Sequence, residues 1–140
     1  MAKGFKFTDN SDEVKRNLKA VTEKAMLSAC LVVEASAKSN AKVGTGELRD
    51  TITHNIRAQG DQLIGQVGSP AMYAPYIEFG TGEFAENGNG RKGGWVYKTP
   101  EGKFYFTFGM KPDPFLRPAF RDNKENIKNI FAKDLKANFK

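Results

Sequence analysis

The first third of the chain carries a helical pattern that is long for a protein of 140 residues. Asn10 can cap a helix, and Glu13 three residues later completes a capping box. Apolar side chains then recur at helical spacing from Val14 to about Asn40, and over residues 26–37 they surround the helix, which predicts burial on more than one side. Such a helix would be roughly 40 Å long. It must therefore either cross a whole sheet or extend beyond the domain to meet a neighbour.

Four further segments show the patterns of strands and form two hairpins. Residues 50–59, with Ile52 and Ile56 on one face, and residues 62–68 flank a two-residue turn that contains a glycine. Residues 95–98 and 103–108 flank a turn over residues 99–102, in which a proline and a glycine suit the turn positions. The sequence therefore predicts an α+β fold with a long N-terminal helix, a small antiparallel sheet of about four strands and a C-terminal amphipathic helix.

The second hairpin is rich in aromatic side chains. Closing it over a four-residue turn would place three pairs opposite each other: Lys98 with Lys103, Tyr97 with Phe104, and Trp95 with Phe106. This register predicts an aromatic ladder on one side of the hairpin, extended by Phe108. We expect a helix to cover the ladder as half of the core, because an ordinary monomer leaves few large aromatic side chains exposed. Packing of the ladder on another subunit is an alternative.

The segments that flank this hairpin turn sharply around large side chains. Residues 73–79 predict a short helical turn that Gly80 ends, and prolines hold residues 112–118 extended before the last helix. Residues 80–94 hold six glycines and are expected to form a mobile loop. The apolar face of the last helix comprises Phe120, Ile127, Ile130, Phe131 and Leu135.

The residue inventory argues against catalysis and metal binding. The single histidine, His54, lies in an alternating strand, and the only cysteine, Cys30, has apolar neighbours, so no Cys–His pair, disulfide or standard zinc site is expected. Glu78 is a lone acid among aromatic residues, which suits an ion pair better than acid catalysis. The sequence predicts no enzyme, no metal and no cofactor. No apolar run suits a signal peptide or a membrane span. We expect one domain over residues 1–140, with a flexible arm over residues 1–10.

The basic character of the chain leaves a nucleic-acid alternative open. The net charge of +6 favours acidic neighbours, although the basic residues are spread along the chain. Single-stranded nucleic acid could stack on the aromatic rings of the hairpin beside Arg91, Lys92, Lys98 and Lys103. A basic module that binds single-stranded nucleic acid is therefore the alternative function of a different class.

Three motifs occur in order along the chain. Residues 45–49 read Thr-Gly-Glu-Leu-Arg, residues 73–81 read Tyr-Ala-Pro-Tyr-Ile-Glu-Phe-Gly-Thr, and residues 114–119 read Pro-Phe-Leu-Arg-Pro-Ala. Together with the long first helix, this order resembles the small tail-completion, or head–tail joining, proteins of long-tailed bacteriophages, which are also described as minor tail components. The resemblance covers the chain from about residue 12 to residue 139.

The resemblance implies a non-enzymatic structural protein of the virion, made in the cytoplasm of the host bacterium. It implies a six-fold ring in the phage neck that joins the head connector to the tail tube and surrounds the DNA channel. The implied partners are other copies of the chain, the head-side connector or stopper, the tail terminator or tail tube proteins, and DNA in non-specific contact, with no membrane. A stopper or a tail terminator is the alternative role within a phage.

Two groups of residues are candidates for contacts within such a ring. Seven would form or brace the subunit interface: Tyr73, Tyr76, Glu78, Phe79, Phe115, Leu116 and Arg117. Four would reach, together with residues 80–94, toward a neighbouring ring or subunit: Trp95, Tyr97, Phe104 and Phe106. Exposed aromatic anchors suit the heterologous contacts from which rings are built. The alternative for the first group is that it only locks the short helical turn onto the core.

Overall fold

The computed structural model describes residues 11–41 and 46–138 of the chain. Helices and antiparallel strands are mixed, which confirms the predicted α+β class. In chain order the elements are α1 (Ser11–Asn40), α2 (Gly46–Thr51), β1 (Thr53–Gln59), β2 (Gln62–Gly68), α3 (Ala74–Phe79), a 3-10 turn (Gly82–Phe84), β3 (Trp95–Lys98), β4 (Phe104–Thr107), α4 (Leu116–Asp122) and α5 (Lys124–Asn138). The predicted cap at Asn10, the predicted arm over residues 1–10 and Thr45 of the first motif lie outside the described residues.

Helix α1 is the centre of the fold, because β1, β2, α4 and α5 all pack against it. Many of its core-facing side chains are small, so neighbouring backbones approach closely. Strand β2 lies so near that a Cβ added at Gly65 would meet Met26 Sδ at 2.5 Å and Cys30 Sγ at 2.7 Å. The largest fully buried side chains are Val33, Leu48 and Ile52.

The first part of α1 extends beyond this core. Residues 11–20 are all exposed, including the apolar side chains of Val14 and Leu18. The predicted burial of the second half on more than one side is wrong, because Leu27 and Leu31 are exposed on the side opposite the core. One broad face of the helix is therefore buried, and a second apolar strip faces outward.

The strand predicted from residue 50 begins later than expected. Residues Gly46–Thr51 form the short helix α2, in which Thr51 Oγ1 donates to the carbonyl of Leu48 at 2.6 Å. Ile52 was predicted to share a strand face with Ile56, but it lies between α2 and β1 and is buried in the core. The buried side chain of Leu48 anchors α2, which is why this polar, turn-rich segment is helical.

The four strands form two separate two-stranded sheets instead of one sheet of four. The first hairpin has the predicted two-residue turn, with Gln59 opposite Gln62 and Gly60 at φ 60°. The second hairpin lies apart from the first. The segment that precedes β3 is hydrogen-bonded to the segment that follows β4. Thr81 donates its backbone N–H to the carbonyl of Met110 at 2.9 Å, and this pairing fixes the base of β3–β4 away from β1–β2.

The predicted register of the second hairpin is wrong by one residue. Thr99 N donates to the carbonyl of Lys103 at 2.7 Å, so the loop has three residues and Gly102 adopts φ 87°. The observed cross-strand pairs are Trp95 with Thr107, Val96 with Phe106, Tyr97 with Tyr105, and Lys98 with Phe104. Because cross-strand partners share a face, the aromatic side chains divide between the two faces instead of forming one ladder.

The C-terminal region consists of two helices instead of one. A break at Asn123 separates α4 from α5, and Asn123 Nδ2 donates to the carbonyl of Ala119 at 2.8 Å. Pro118 lies in the first turn of α4, as predicted. Phe120, a member of the predicted apolar face, is exposed, because its neighbour Ala119 faces the core from α4. The remaining members of that face are half-buried: Ile127, Ile130, Phe131 and Leu135.

Candidate functional site

The carboxylate of Glu78 caps a helix that begins 38 residues later. Its Oε2 accepts the backbone N–H groups of Phe115 at 2.8 Å and Leu116 at 3.0 Å, and its Oε1 accepts that of Arg117 at 2.9 Å. The N-cap residue of α4 is Phe115, whose apolar side chain cannot accept a hydrogen bond from the first turn of the helix. A distant acid therefore supplies the acceptor that a Ser, Thr, Asp or Asn at the cap would supply elsewhere.

Arg117 connects three segments of the chain through one guanidinium. Its Nε donates to Glu78 Oε1 at 2.9 Å, and its Nη2 donates to the backbone carbonyl of Glu78 at 2.9 Å. Two further bonds, at 2.8 and 2.9 Å, reach both carboxylate oxygens of Glu86. The guanidinium also lies 4.6 Å from the ring centre of Phe79. We call Glu78, Glu86 and Arg117 the Arg117 network.

The electrostatics of the Arg117 network favour its charged form. Burial raises the pKa of Glu78, but the backbone hydrogen bonds from Leu116, Arg117 and Phe115 outweigh it and leave the pKa below its ordinary value. The hydrogen bond from Arg117 lowers the pKa of Glu86. Hydrogen bonds from Glu86 and Glu78 raise the pKa of Arg117. All three groups are therefore ionised together near neutral pH.

The seven predicted interface residues divide into an inner and an outer group. Glu78 is 4% exposed and Phe115 is buried, while the polar atoms of Arg117 are bonded within the chain. The other four are half-buried or exposed: Tyr73, Tyr76, Phe79 and Leu116. The inner group joins α3 to α4 through the hydrogen bonds of Glu78. The interface role of the seven stays a prediction, and Tyr76, at 59% exposure, offers the most open ring among them.

Residues 80–94 follow a defined path after α3. Gly80 ends the helix at φ 81°, and Gly82, at φ 60°, lies so close to the carbonyl of Phe108 that a Cβ would collide with it. Glu83 Oε1 accepts the N–H of Gly93 at 3.1 Å, which closes the segment on itself. Close backbone packing therefore accounts for glycines here. The mobility of this segment in the free chain stays a prediction.

An open groove of about 1000 Å³ lies between α3 and residues 80–95. We call it the groove. Its lining includes Tyr76 and Phe79 of α3 together with Trp95. Arg91 lies 5.5 Å from the centre of the Trp95 ring, so its guanidinium makes a cation–π contact within its own chain. The lining combines aromatic side chains with glycines and the two asparagines Asn87 and Asn89.

The aromatic hairpin, β3–β4 with Phe108, is exposed on both faces. The expectation that a helix covers one face is wrong, because Phe104 is 69% exposed and Phe106 58%. Tyr97 stacks on Tyr105 at 5.9 Å on one face, and Phe106 meets Phe108 edge-on at 5.0 Å. These ring contacts lie within the hairpin itself. The hairpin therefore carries exposed aromatic side chains on both faces.

The remaining chemically active side chains have structural roles. His54 Nδ1 lies 3.3 Å from Glu34 Oε1, which links β1 to α1. Burial and the nearby Glu34 raise the pKa of Cys30, which keeps this buried thiol protonated. Within residues 11–41 and 46–138, no three His, Cys, Asp or Glu side chains cluster as metal ligands would. No described helix has the length and apolar character needed to cross a bilayer.

Comparison with known protein families decides the wider class. A family model described as "Bacteriophage HK97-gp10, putative tail-component" matches residues 5–80, which is more than half of the chain. The chain belongs to this family. This confirms the resemblance to phage tail components, although the third motif lies beyond the matched residues, and makes the protein a structural component of a bacteriophage tail, located in the virion. The match to the HK97-gp10 family ends at residue 80, so the aromatic hairpin lies beyond it. No curated protein and no solved structure matches the chain.

Sequence reasoning missed two features of this site. It did not assign Glu86, whose only sequence signal is its acidic character in a glycine-rich loop. It also treated Glu78 as an interface acid, although α4 begins at Phe115 without any capping side chain. A helix start that lacks a local cap is a signal that a distant acceptor is needed.

Proposed function

We propose that the protein forms a closed ring in the phage neck, between the head-side connector and the tail tube, with DNA passing through its centre. The observation that carries this proposal is the aromatic hairpin, which is exposed on both faces in a chain that belongs to a tail-component family. A neck ring must bind its own copies and two further protein rings. Such a role uses exposed apolar surface that a free monomer would have to bury.

The amount of exposed aromatic surface supports an assembly role. Five aromatic residues of the hairpin are exposed: Tyr97, Phe104, Tyr105, Phe106 and Phe108. At about 200 Å² per aromatic side chain, they leave roughly 500 Å² uncovered on a single hairpin. The three phenylalanines of one face, Phe104, Phe106 and Phe108, account for roughly 350 Å² of this area. The largest apolar patch of a typical monomer is about 300–600 Å², and such patches commonly mark binding sites.

Ring closure requires two different surfaces on each copy, since a heterologous contact joins unlike patches. The chain offers several: the aromatic hairpin, the groove, and the exposed first turns of α1 with Val14 and Leu18. We propose six copies per ring, as the resemblance implies. The net charge of +6 suits a wall beside DNA, because dispersed cations give weak contacts past which DNA can slide.

A second candidate function has its own supporting observation. Lys98 Nζ lies 5.6 Å from the ring centre of Phe104, and Arg91 lies near Trp95, so cations accompany the exposed aromatic rings. Single-stranded nucleic acid binds to surfaces of this kind. A position as stopper or tail terminator in the same virion is the other alternative, and it would use the same exposed surfaces.

The experiment is electron microscopy of phage particles that carry altered copies of the protein. The double substitution Phe104→Ser with Phe106→Ser should leave filled heads and free tails unjoined, because the assembly surface is removed. Phe120→Ser, at an exposed phenylalanine on α4, is the matched control and should give joined particles. Joined, infectious particles with the double substitution would contradict the neck assignment.

A further inference from the structure

We propose that Asn89 is a site of slow self-modification: in the folded chain its side-chain amide is converted to a carboxylate, while the nearby Asn87 is protected. Two Asn-Gly pairs, Asn87–Gly88 and Asn89–Gly90, lie in the segment between α3 and β3. The reaction takes place in the folded chain whether or not copies assemble into a ring.

The modification needs only the chain and water. The backbone nitrogen of the glycine loses its proton and attacks the side-chain Cγ of the preceding asparagine, and the side-chain nitrogen leaves as ammonia after taking up a proton. Water then opens the resulting succinimide ring at one of its two carbonyl groups, which gives aspartate or isoaspartate. A glycine has no side chain to obstruct the attack, so an asparagine followed by glycine is especially reactive.

Hydrogen bonds hold the first of the two pairs in place. The backbone N–H of Gly88 donates to the carbonyl of Ala85 at 3.0 Å. The nitrogen of a succinimide carries no hydrogen, so this bond must break before Gly88 can react. The side chain of Asn87 is held as well, because its Oδ1 accepts the backbone N–H of Asn89 at 2.9 Å. At about a factor of five for one hydrogen bond, Asn87 should react roughly fivefold more slowly than in an unfolded chain.

The second pair lacks these restraints. Asn89 is exposed and Gly90 is half-buried. Within residues 11–41 and 46–138, neither the side-chain amide of Asn89 nor the backbone N–H of Gly90 makes a hydrogen bond. No hydrogen bond therefore has to break before the nitrogen of Gly90 attacks, and water has access to the intermediate.

Close packing requires the same glycine that makes Asn89 reactive. A Cβ at Gly90 would collide with the carbonyl of Gly82. A larger residue at position 90 would slow the attack, but it would also displace this segment. The fold therefore retains a reactive pair at an exposed position.

The modification changes the charge of the groove. Asn89 lines the groove together with Glu86 and Arg91, whose charges balance. A carboxylate at position 89 gives two acids against one base, so the lining becomes negative. Isoaspartate also inserts one carbon into the backbone, next to Gly88, where a Cβ would meet nothing within 4 Å. A copy that has aged therefore presents a different groove from a newly made one.

The test is peptide mass spectrometry of the full chain after incubation in mildly alkaline buffer, both folded and in urea. Each asparagine is compared with its own rate in urea, where the hydrogen bonds of the fold are lost. The folded chain should convert Asn89 within about twofold of its rate in urea and Asn87 about fivefold more slowly than in urea. The background is given by Asn129, an exposed asparagine of α5 that is followed by Ile130.

Two matched variants give a second readout. Both asparagines are exposed, so we expect Asn89→Gln and Asn87→Gln to fold. Glutamine would have to close a larger ring, which is far slower. On isoelectric focusing, the acidic form that accumulates in the unaltered chain should therefore be mostly lost in Asn89→Gln and retained in Asn87→Gln.

The outcomes decide the proposal in either direction. Faster conversion of Asn89, together with loss of the acidic form in Asn89→Gln, would support it. Equal slowing of the two asparagines in the folded chain would overturn it, and so would an Asn89 that reacts no faster than Asn129. An acidic form that persists in Asn89→Gln and disappears in Asn87→Gln would assign the reaction to the other pair and overturn it as well.

Discussion

Glu78 and Arg117 are joined by both backbone and side chain. Glu78 Oε1 accepts the backbone N–H and the Nε–H of Arg117, each at 2.9 Å, and Arg117 returns a bond from Nη2 to the Glu78 carbonyl at 2.9 Å. The second and third sequence motifs therefore meet at a single buried carboxylate. The fold therefore needs both motifs in the same chain, whether or not either motif takes part in assembly.

Replacement of Glu78 should weaken the fold. Glu78→Gln keeps the shape of the side chain, but it removes the charge that holds Arg117 and replaces one acceptor oxygen by an amide. We expect the free energy of unfolding to fall by about 1–3 kcal/mol, measured by urea denaturation. The control is Glu125→Gln, an exposed acid in an ion pair with Lys128, which should change stability by less than about 0.5 kcal/mol. Equal effects of the two substitutions would contradict the capping role.

Stability should depend on pH through the same carboxylate. The pKa of Glu78 is lower in the folded chain than its ordinary value of 4.5, so the unfolded chain binds more protons between the two values. The contribution is fully present above about pH 4.5 and is lost as the pH falls through the folded pKa. Urea midpoints of the unaltered chain should drop on acidification below that pH. Glu78→Gln should drop less, and parallel curves would argue against this origin.

The close approach of β2 to α1 gives a test of the core. Gly65→Ala should destabilise the protein by roughly 1–3 kcal/mol, because the new methyl group meets Met26 and the buried Cys30. Gly68→Ala in the same strand is a matched control, since a Cβ there meets nothing within 4 Å. Thermal melts of the two variants should differ clearly. A Gly65→Ala protein as stable as the control would show that α1 and β2 are not packed as described.

Exposed and internal members of the second and third motifs should separate stability from assembly. Tyr76→Ala should leave the melting temperature nearly unchanged and reduce self-association, because its ring is exposed in the groove. Arg117→Ala should lower the melting temperature, because Glu78 and Glu86 lose their common partner. Phe79→Ala should do both to a smaller extent, since this ring lies beneath Arg117 and also lines the groove. Calorimetry and light scattering on the same samples measure the two effects.

Local patterns predicted much of the fold. The helix that ends at Asn40, the turn at Gly60 and the helix ended by Gly80 follow from spacing and glycine chemistry that act within a few residues. The hairpin register did not follow, because a loop of three residues and one of four fit the same Pro and Gly. A register shift of one residue moves the side chains of a strand to the opposite face. The aromatic side chains predicted on one face are therefore divided between both faces of the hairpin.

The candidate site was predictable only in its outline. The aromatic members of both groups could be found because large rings with Gly and Pro between them are unusual in a chain of this size. The capping of α4 by Glu78 could not be predicted, because a hydrogen bond between residues 38 positions apart leaves no periodic pattern in the sequence. The absence of a local cap at Phe115 was the single available signal.

Ring formation is tested most directly by the mass of the purified full chain in solution, measured by light scattering over a wide range of concentration. We expect one discrete, closed oligomer for the unaltered chain and a monomer for Phe104→Ser with Phe106→Ser at every concentration, with both results unaffected by short DNA. An unaltered chain that stays monomeric, or a double variant that assembles as the unaltered chain does, would contradict this expectation.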